Sequence, residues 1–262
     1  VGAIVAPLLV PWLCLNWGWQ WAFIIVGAVG FVWVFFWVLV YQQPNKSKYV
    51  GAKELAHIEK DPPQPVAKIP WIKLLKLRQT WAFICAKFMT DAVWRWYFFF
   101  MPLFIVDIYN VNIKDMTNFA LPIIIIYVVA DLGSIVSGAI SSWFIKLGWT
   151  ANKARKVTML ICSLCVVPVA FSTVVGNLWI TVGLVALAAA AHQGFSTNIF
   201  TTVSDMFPKN AVASVVGLGG TAGCIGALSL LTVTKWLFAT LPEGGDKSSV
   251  YLVLFVIASV SY

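Results

Sequence analysis

The chain is 262 residues long, 60% hydrophobic and only 11% charged, with a formal net charge of +8 and a mean hydropathy of +0.86. A water-soluble domain carries about 45–50% apolar and about 25% charged residues, so this composition excludes an ordinary soluble domain. The lysines and arginines lie between long apolar runs, which assigns the surplus charge to membrane topology and excludes nucleic acid as a partner.

In chain order, residues 1–13 read as the end of a membrane span, followed by a tight turn in "LNWGW". The run "WAFIIVGAVGFVWVFFWVLVY" is about 20 residues without a charge, enough to cross a hydrocarbon core of about 30 Å at about 1.5 Å per residue. The span predicted there covers residues 20–41. Residues 42–76 form a polar connector centred on "DPPQP", where prolines forbid a continuous helix. At its end "IPWIKLLKLRQ" puts Ile72, Leu75 and a tryptophan on one side and lysines on the other, as in a helix lying at the membrane interface or a plain linker. Further spans are predicted at 77–105, 118–145, 157–175, 178–203 and 211–236, with a shorter apolar stretch from Ser249.

Loop charge alternates along this series. The connector carries Lys46, Lys48, Lys53, Lys60, Lys68, Lys73, Lys76 and Arg78, and the loop two spans later carries Lys146, Lys153, Arg155 and Lys156. Intervening loops hold Lys114, nothing in "VVGN", then Lys235 and Lys247 beside Glu243 and Asp246. The basic loops are therefore expected on the cytoplasmic side. The chain starts without methionine inside one apolar run and stops early in another, so a piece of a longer chain is expected. No signal peptide is visible.

Within the span at 77–105, "AKFMTDAVWRWYFFFMP" places Lys87, Asp91 and Arg95 four residues apart. They fall within an arc of about 80° with Trp94 on the same stripe, and Asp91 lies about 20 Å along the helix from Arg78. A charge at that depth faces a bundle interior or a watery cavity. One reading is a self-neutralising stripe with Arg95 reaching outward. The other starts from two cations against one anion: the surplus positive charge invites an anionic ligand, with Lys87 gripping a carboxylate and Asp91 linking its protonation to occupancy.

Asp131 in "YVVADLGSIVSG" is also near mid-span, one turn after Tyr127, and reads either as a proton-linked carboxylate or as an acid satisfied by a neighbouring helix. "AAAAHQGFSTNIFTTVSD" sets His192, Gln193, Thr197, Thr201 and Ser204 along one helix. This stripe suits ligand hydroxyls, or else interhelical hydrogen bonds. His192 is open between a ligand contact and a packed histidine. "VVGLGGTAGCIGA" is a close-packing device with Gly219 and Gly223 at small-xxx-small spacing. The five cysteines lie in apolar runs, and "CSLC" has no second pair, so no metal or redox site is expected. No nucleophile elbow, HExxH, P-loop or metal cluster is present, so no cofactor is expected and an enzyme is disfavoured.

The order of parts and the stretches "WGWQWAFIIVGAVGFVWVFFWVLVYQQP", "LRQTWAFICAKFMTD", "ADLGS" and "AAAHQGFSTNIFTTVSDMFPKNAVASVVGLGGTAG" resemble the second half of a major facilitator transporter. More narrowly, they are similar to the bacterial hexuronate transporter group of the anion:cation symporter branch. The resemblance implies an all-α membrane protein. Residues 1–41 would end the N-terminal bundle (part of the fifth helix and the sixth), 42–76 would be the basic central loop, and 77–262 the C-terminal bundle, from the seventh helix to a truncated twelfth. Lys87, Asp131, His192 and Thr221 would fall on the seventh, eighth, tenth and eleventh helices. In the group a basic and an acidic residue four apart occupy the places of Lys87 and Asp91, and "AHQ" recurs in the tenth helix. Arg95 departs from the group's pattern, and so does the small run Thr221 to Gly223, where an asparagine is common.

What the resemblance implies is a secondary active transporter of the bacterial inner membrane, importing a hexuronate or related sugar acid with a proton by alternating access. The expected site is Lys87, Asp91, Trp94, Tyr127, His192, Gln193 and Thr197, with Asp91 and Asp131 as coupling acids and the preceding helices of the same chain as the other half. Alternatives are a carrier of the same fold for a dicarboxylate or aromatic acid, and a membrane protein that binds an anion without moving it.

Overall fold

In a computed structural model, the structure describes residues 2–47, 49–58, 60, 69–113 and 115–262. The "DPPQP" stretch, Lys48, Lys68 and Lys114 lie outside them. The described chain divides into two compact units, residues 5–67 and residues 68–262 with the first four.

In the first unit, α1 (Gly2–Trp17) and α2 (Trp19–Val40) are separated by Gly18 alone. Its φ of +93° explains how the predicted turn shrinks to one residue, since that region is open mainly to glycine. α2 is apolar all round, with Ala22 its one buried residue and Phe31 79% exposed. That pattern belongs to a helix whose sides meet lipid or other apolar helices. A short helix, α3 (Ala52–Ile58), follows in the connector.

The second unit is a helix bundle. α4 (Trp71–Leu75) turns Leu74 inward while Trp71 and Ile72 stay exposed. It leads into α5 (Arg78–Tyr109), and the Trp81 indole donates back to the Leu75 carbonyl at 2.8 Å. α5 runs through Pro102 without ending, four residues beyond the predicted limit, and Asn110 closes it in the left-handed conformation at φ 51°. α6 (Met116–Lys146), α7 (Ala151–Val166), α8 (Leu178–Met206), α9 (Lys209–Ala239) and α10 (Ser248–Val260) complete the order. Among the described residues, six helices are long and apolar enough to cross a membrane, and α10 is a shorter apolar helix.

α7 begins at Ala151, six residues before the predicted start. Thr150 caps it by accepting from the Lys153 amide, so Lys153, Arg155 and Lys156 sit on its opening turns. Composition placed them in a loop; a local cap makes them helical. Further on, Pro168 converts the end of α7 into a 3-10 segment, Val167–Phe171.

Small residues set the packing. α6 lies against α8 where Gly133 meets the Ala190 backbone and Gly194 faces Ser137 and Cys162. α5 lies against α9, where Gly219 takes the Phe83 ring and Gly226 the backbone of Phe88. Close approach of backbones at small residues is how helices associate where no hydrophobic gradient drives them together. Towards its far end, α5 enters an aromatic core: Phe104 meets Tyr251 at 5.0 Å and Phe255 at 5.1 Å, both edge to face.

Candidate functional site

Between α5 and α8 lies a cavity of about 360 Å³ lined by Lys87, Asp91, Trp94, Arg95, Phe98 and Phe99 from α5 and by His192, Gln193 and Ser196 from α8. Its volume is in the range of small-molecule sites. The four-residue spacing of Lys87, Asp91 and Arg95 puts all three on the face of α5 that borders it, which answers why charges interrupt an apolar helix.

Lys87 is 4% exposed, and its Nζ donates to Asp91 Oδ1 at 2.6 Å. The same ammonium stands 4.4 Å from the Phe200 ring centre on α8, a cation–π contact. Asp91 has room because of α9: a Cβ on Gly223 would fall within 3.0 Å of Asp91 Cγ and closer still to its carboxylate oxygen. The glycine-rich run therefore seats the acid as well as the helix. The lysine of this pair is buried and the aspartate partly so, and an ammonium held that deep depends on close partners.

Trp94 lies flat on His192, with ring centres 4.7 Å apart and planes 2° apart. Tyr127 of α6 meets the Trp94 ring edge-on at 6.2 Å. His192 is 2% exposed, and its Nδ1 is 2.6 Å from the Tyr262 hydroxyl. The ring is thus packed and hydrogen-bonded while an edge borders the cavity. Tyr127 stands behind Trp94 and is not part of the lining.

Three cavity groups are uncommitted among the described residues. Arg95 is exposed and makes no ion pair or hydrogen bond, and the Gln193 amide and the Ser196 hydroxyl make none either. Sequence spacing pointed at Thr197 instead of Ser196. The Thr197 hydroxyl donates to the Gln193 carbonyl at 2.9 Å, and Thr201 to the Thr197 carbonyl at 2.7 Å, so part of that stripe is bonded within α8. Asp131 is exposed on α6, away from the cavity lining, and its side chain has no partner among the described residues. Ser196, Phe98, Phe99 and Phe200 escaped the sequence reading; Ser196 lies one turn after Gln193 and Phe99 one turn after Arg95, and those positions were the available signal.

A larger cavity, about 840 Å³, lies among α5, α7 and α8 at the end bearing Arg78. Its lining is mainly apolar, and Arg155 is ion-paired with Asp205 there. No group of three or more metal-ligating side chains occurs among the described residues.

These features define a multi-pass helical membrane protein whose bundle holds a charged, ligand-sized cavity. A profile of the Major Facilitator Superfamily matches residues 1–230, and the chain belongs to that superfamily. It is similar to the hexuronate transporter of Escherichia coli strain K12, 28% identical over 248 residues, covering 92% of this chain and 54% of the relative. The galacturonate transporter of Dickeya chrysanthemi is 29% identical over 210 residues, covering 76% of this chain and 57% of the relative. The D-galactonate transporter of Escherichia coli O6:H1 is 23% identical over 249 residues, with coverage of 90% and 56%. The chain spans about half the length of the curated relatives it matches.

Proposed function

We propose that the whole protein is a secondary active transporter that imports a hexuronate or related sugar acid together with a proton, by alternating access, across a bacterial inner membrane. In this reading residues 1–41 end the N-terminal bundle, 42–76 form the central loop and 77–262 belong to the C-terminal bundle. The observation that carries it is the cavity between α5 and α8, which combines a cation, an ion pair and uncommitted hydrogen-bonding groups at mid-helix depth. The three relatives named above carry hexuronate, galacturonate and D-galactonate, which points the same way.

Trp94, stacked on His192 and backed by Tyr127, forms a rigid wall for a sugar ring. Gln193 meets hydroxyls, and the Thr197 hydroxyl is held on the Gln193 carbonyl one turn back. Asp91 takes the coupling proton: with the acid neutral, Lys87 loses its counter-charge and the positive field in the cavity rises, favouring an anion. The charged and titratable groups around Asp91 are Lys87 and Arg95 of α5, His192 of α8 and the Tyr262 hydroxyl, which also feels Tyr97 of α5, while Gly223 of α9 packs against the carboxylate. Asp131 is the second candidate acid.

The test is uptake of labelled D-galacturonate and D-glucuronate by the full-length protein in proteoliposomes. Accumulation driven by an inward proton gradient, collapsed by a protonophore and competed by sugar acids more than by succinate or benzoate, is the expected result. Uptake indifferent to the gradient removes proton coupling, and equal competition by succinate removes the sugar-acid assignment.

A further inference from the structure

The cavity holds two cations in different states. Lys87 is buried, with its ammonium 2.6 Å from Asp91 and its remaining face against the Phe200 ring. A ligand carboxylate reaching Lys87 must displace Asp91, an acid tethered one turn away. Arg95 has no such partner among the described residues, and it borders the same cavity.

Arg95 cannot relieve its charge by reaching water along the helix. It lies about 2 Å from the middle of a helix about 48 Å long, so the ends of a hydrocarbon core of about 30 Å are more than about 10 Å away in both directions. An unpaired cation at that depth faces a watery chamber or a counter-charge brought to it. A guanidinium offers a planar fork of donors that matches both oxygens of a carboxylate, which a lysine ammonium does not. Gln193 and Ser196, the other uncommitted groups, lie across the cavity on α8, where they can meet hydroxyls of a molecule held by Arg95.

The charge count adds a selectivity. Lys87 and Asp91 cancel while paired, leaving Arg95 as the net charge that the described residues give the cavity. A ligand with one carboxylate neutralises the site, whereas one with two leaves an unanswered negative charge at low dielectric. From this geometry we infer that Arg95, and not Lys87, grips the substrate carboxylate, and that, as long as Asp91 stays ionised against Lys87, it makes the cavity selective for sugar acids with a single carboxylate over those with two. The inference rests on the transporter reading above for the substrate's chemistry, but not for the role of Arg95.

The experiment measures equilibrium binding of D-galacturonate, galactarate and D-galactose to the full-length detergent-solubilised protein. Four forms are compared: wild type, Arg95→Gln, Arg95→Lys, and the double variant Lys87→Gln/Asp91→Asn. Wild type should bind galacturonate at least about tenfold more tightly than galactarate or galactose, and Arg95→Gln should weaken galacturonate by about 30-fold or more. Arg95→Lys should lose less. The double variant, which keeps the net charge, should lose at least about tenfold less affinity than Arg95→Gln. Galacturonate bound equally well by Arg95→Gln, or lost as severely in the double variant, overturns the assignment to Arg95, and galactarate bound as tightly as galacturonate overturns the selectivity. Should wild type bind no sugar acid, the substrate reading fails on its own, and the same variants decide Arg95 with benzoate as probe. Loss of benzoate in Arg95→Gln supports the role of Arg95; a wild type that binds no carboxylate ends both.

Discussion

Lys87–Asp91 and Lys247–Asp107 are both contacts of 2.6 Å involving α5, yet they connect different things. The first joins two residues one turn apart on a single helix, beside the cavity, with the lysine side chain only 5% exposed. The second crosses from Lys247, just before α10, to α5, its lysine 50% exposed, and shares Asp107 with the Tyr251 hydroxyl at 2.8 Å. A local pair ties no two helices together, so the fold gains little from it; its burial makes sense as a way to hold charge inside a chamber. The distant pair ties helix ends and lies outside the chamber. Under the proposed function, these two pairs separate a set of charges that serves the cavity from one that fastens helix ends.

The largest expected effect comes from splitting the buried pair. Lys87→Gln leaves Asp91 without its counter-charge and should lower stability by about 3 kcal/mol, read as a drop in thermal unfolding temperature of the full-length protein. Replacing both partners with apolar residues, Lys87→Met/Asp91→Leu, should recover most of that stability while abolishing proton-driven uptake. Full uptake in this double variant would erase the distinction between the two pairs.

Next comes the seat of Asp91. Gly223→Val forces side-chain atoms into the space of its carboxylate, and overpacking of this kind costs about 1–3 kcal/mol. Uptake should fall about tenfold or more, whereas Gly220→Val, where a Cβ meets nothing within 4 Å, should leave it near wild type. Equal losses at the two glycines would point to general damage in α9.

The wall of the cavity should respond more mildly. Trp94→Leu removes the stack on His192 and the edge contact with Tyr127, worth about 1 kcal/mol each, and should raise the KM for galacturonate with less change in kcat. Smallest is the fastening set: Tyr251→Phe should lower stability by about 1 kcal/mol, and Lys247→Ala by less, with KM unchanged in both. A shifted KM in Lys247→Ala would show that the far end of α5 communicates with the chamber.

Much of this was legible from the residue order because a membrane imposes simple rules. Uninterrupted apolar length marks spans, loop charge marks sides, and the 3.6-residue period alone brings Lys87, Asp91, Trp94 and Arg95 onto one stripe. Trp94 and His192 were named separately, but their stacking could not be read, since it depends on how α5 crosses α8. The role of Gly223 as the seat of Asp91 was hidden for the same reason: the two residues are distant in the chain. Thr197 shows the limit of a stripe argument, because a threonine in a helix can satisfy itself on the carbonyl one turn back, while Ser196 beside it borders the cavity. The early start of α7 was missed because a Thr150 cap outweighs the basic composition that follows it.

The most direct test of a ligand-holding chamber between α5 and α8 is the reactivity of Ser196→Cys, in a full-length protein stripped of its other cysteines, toward a negatively charged thiosulfonate reagent. The account predicts rapid labelling that D-galacturonate slows at concentrations near its KM and that D-galactose leaves unchanged. A thiol that never reacts, or one that reacts at the same rate with and without galacturonate, would contradict it.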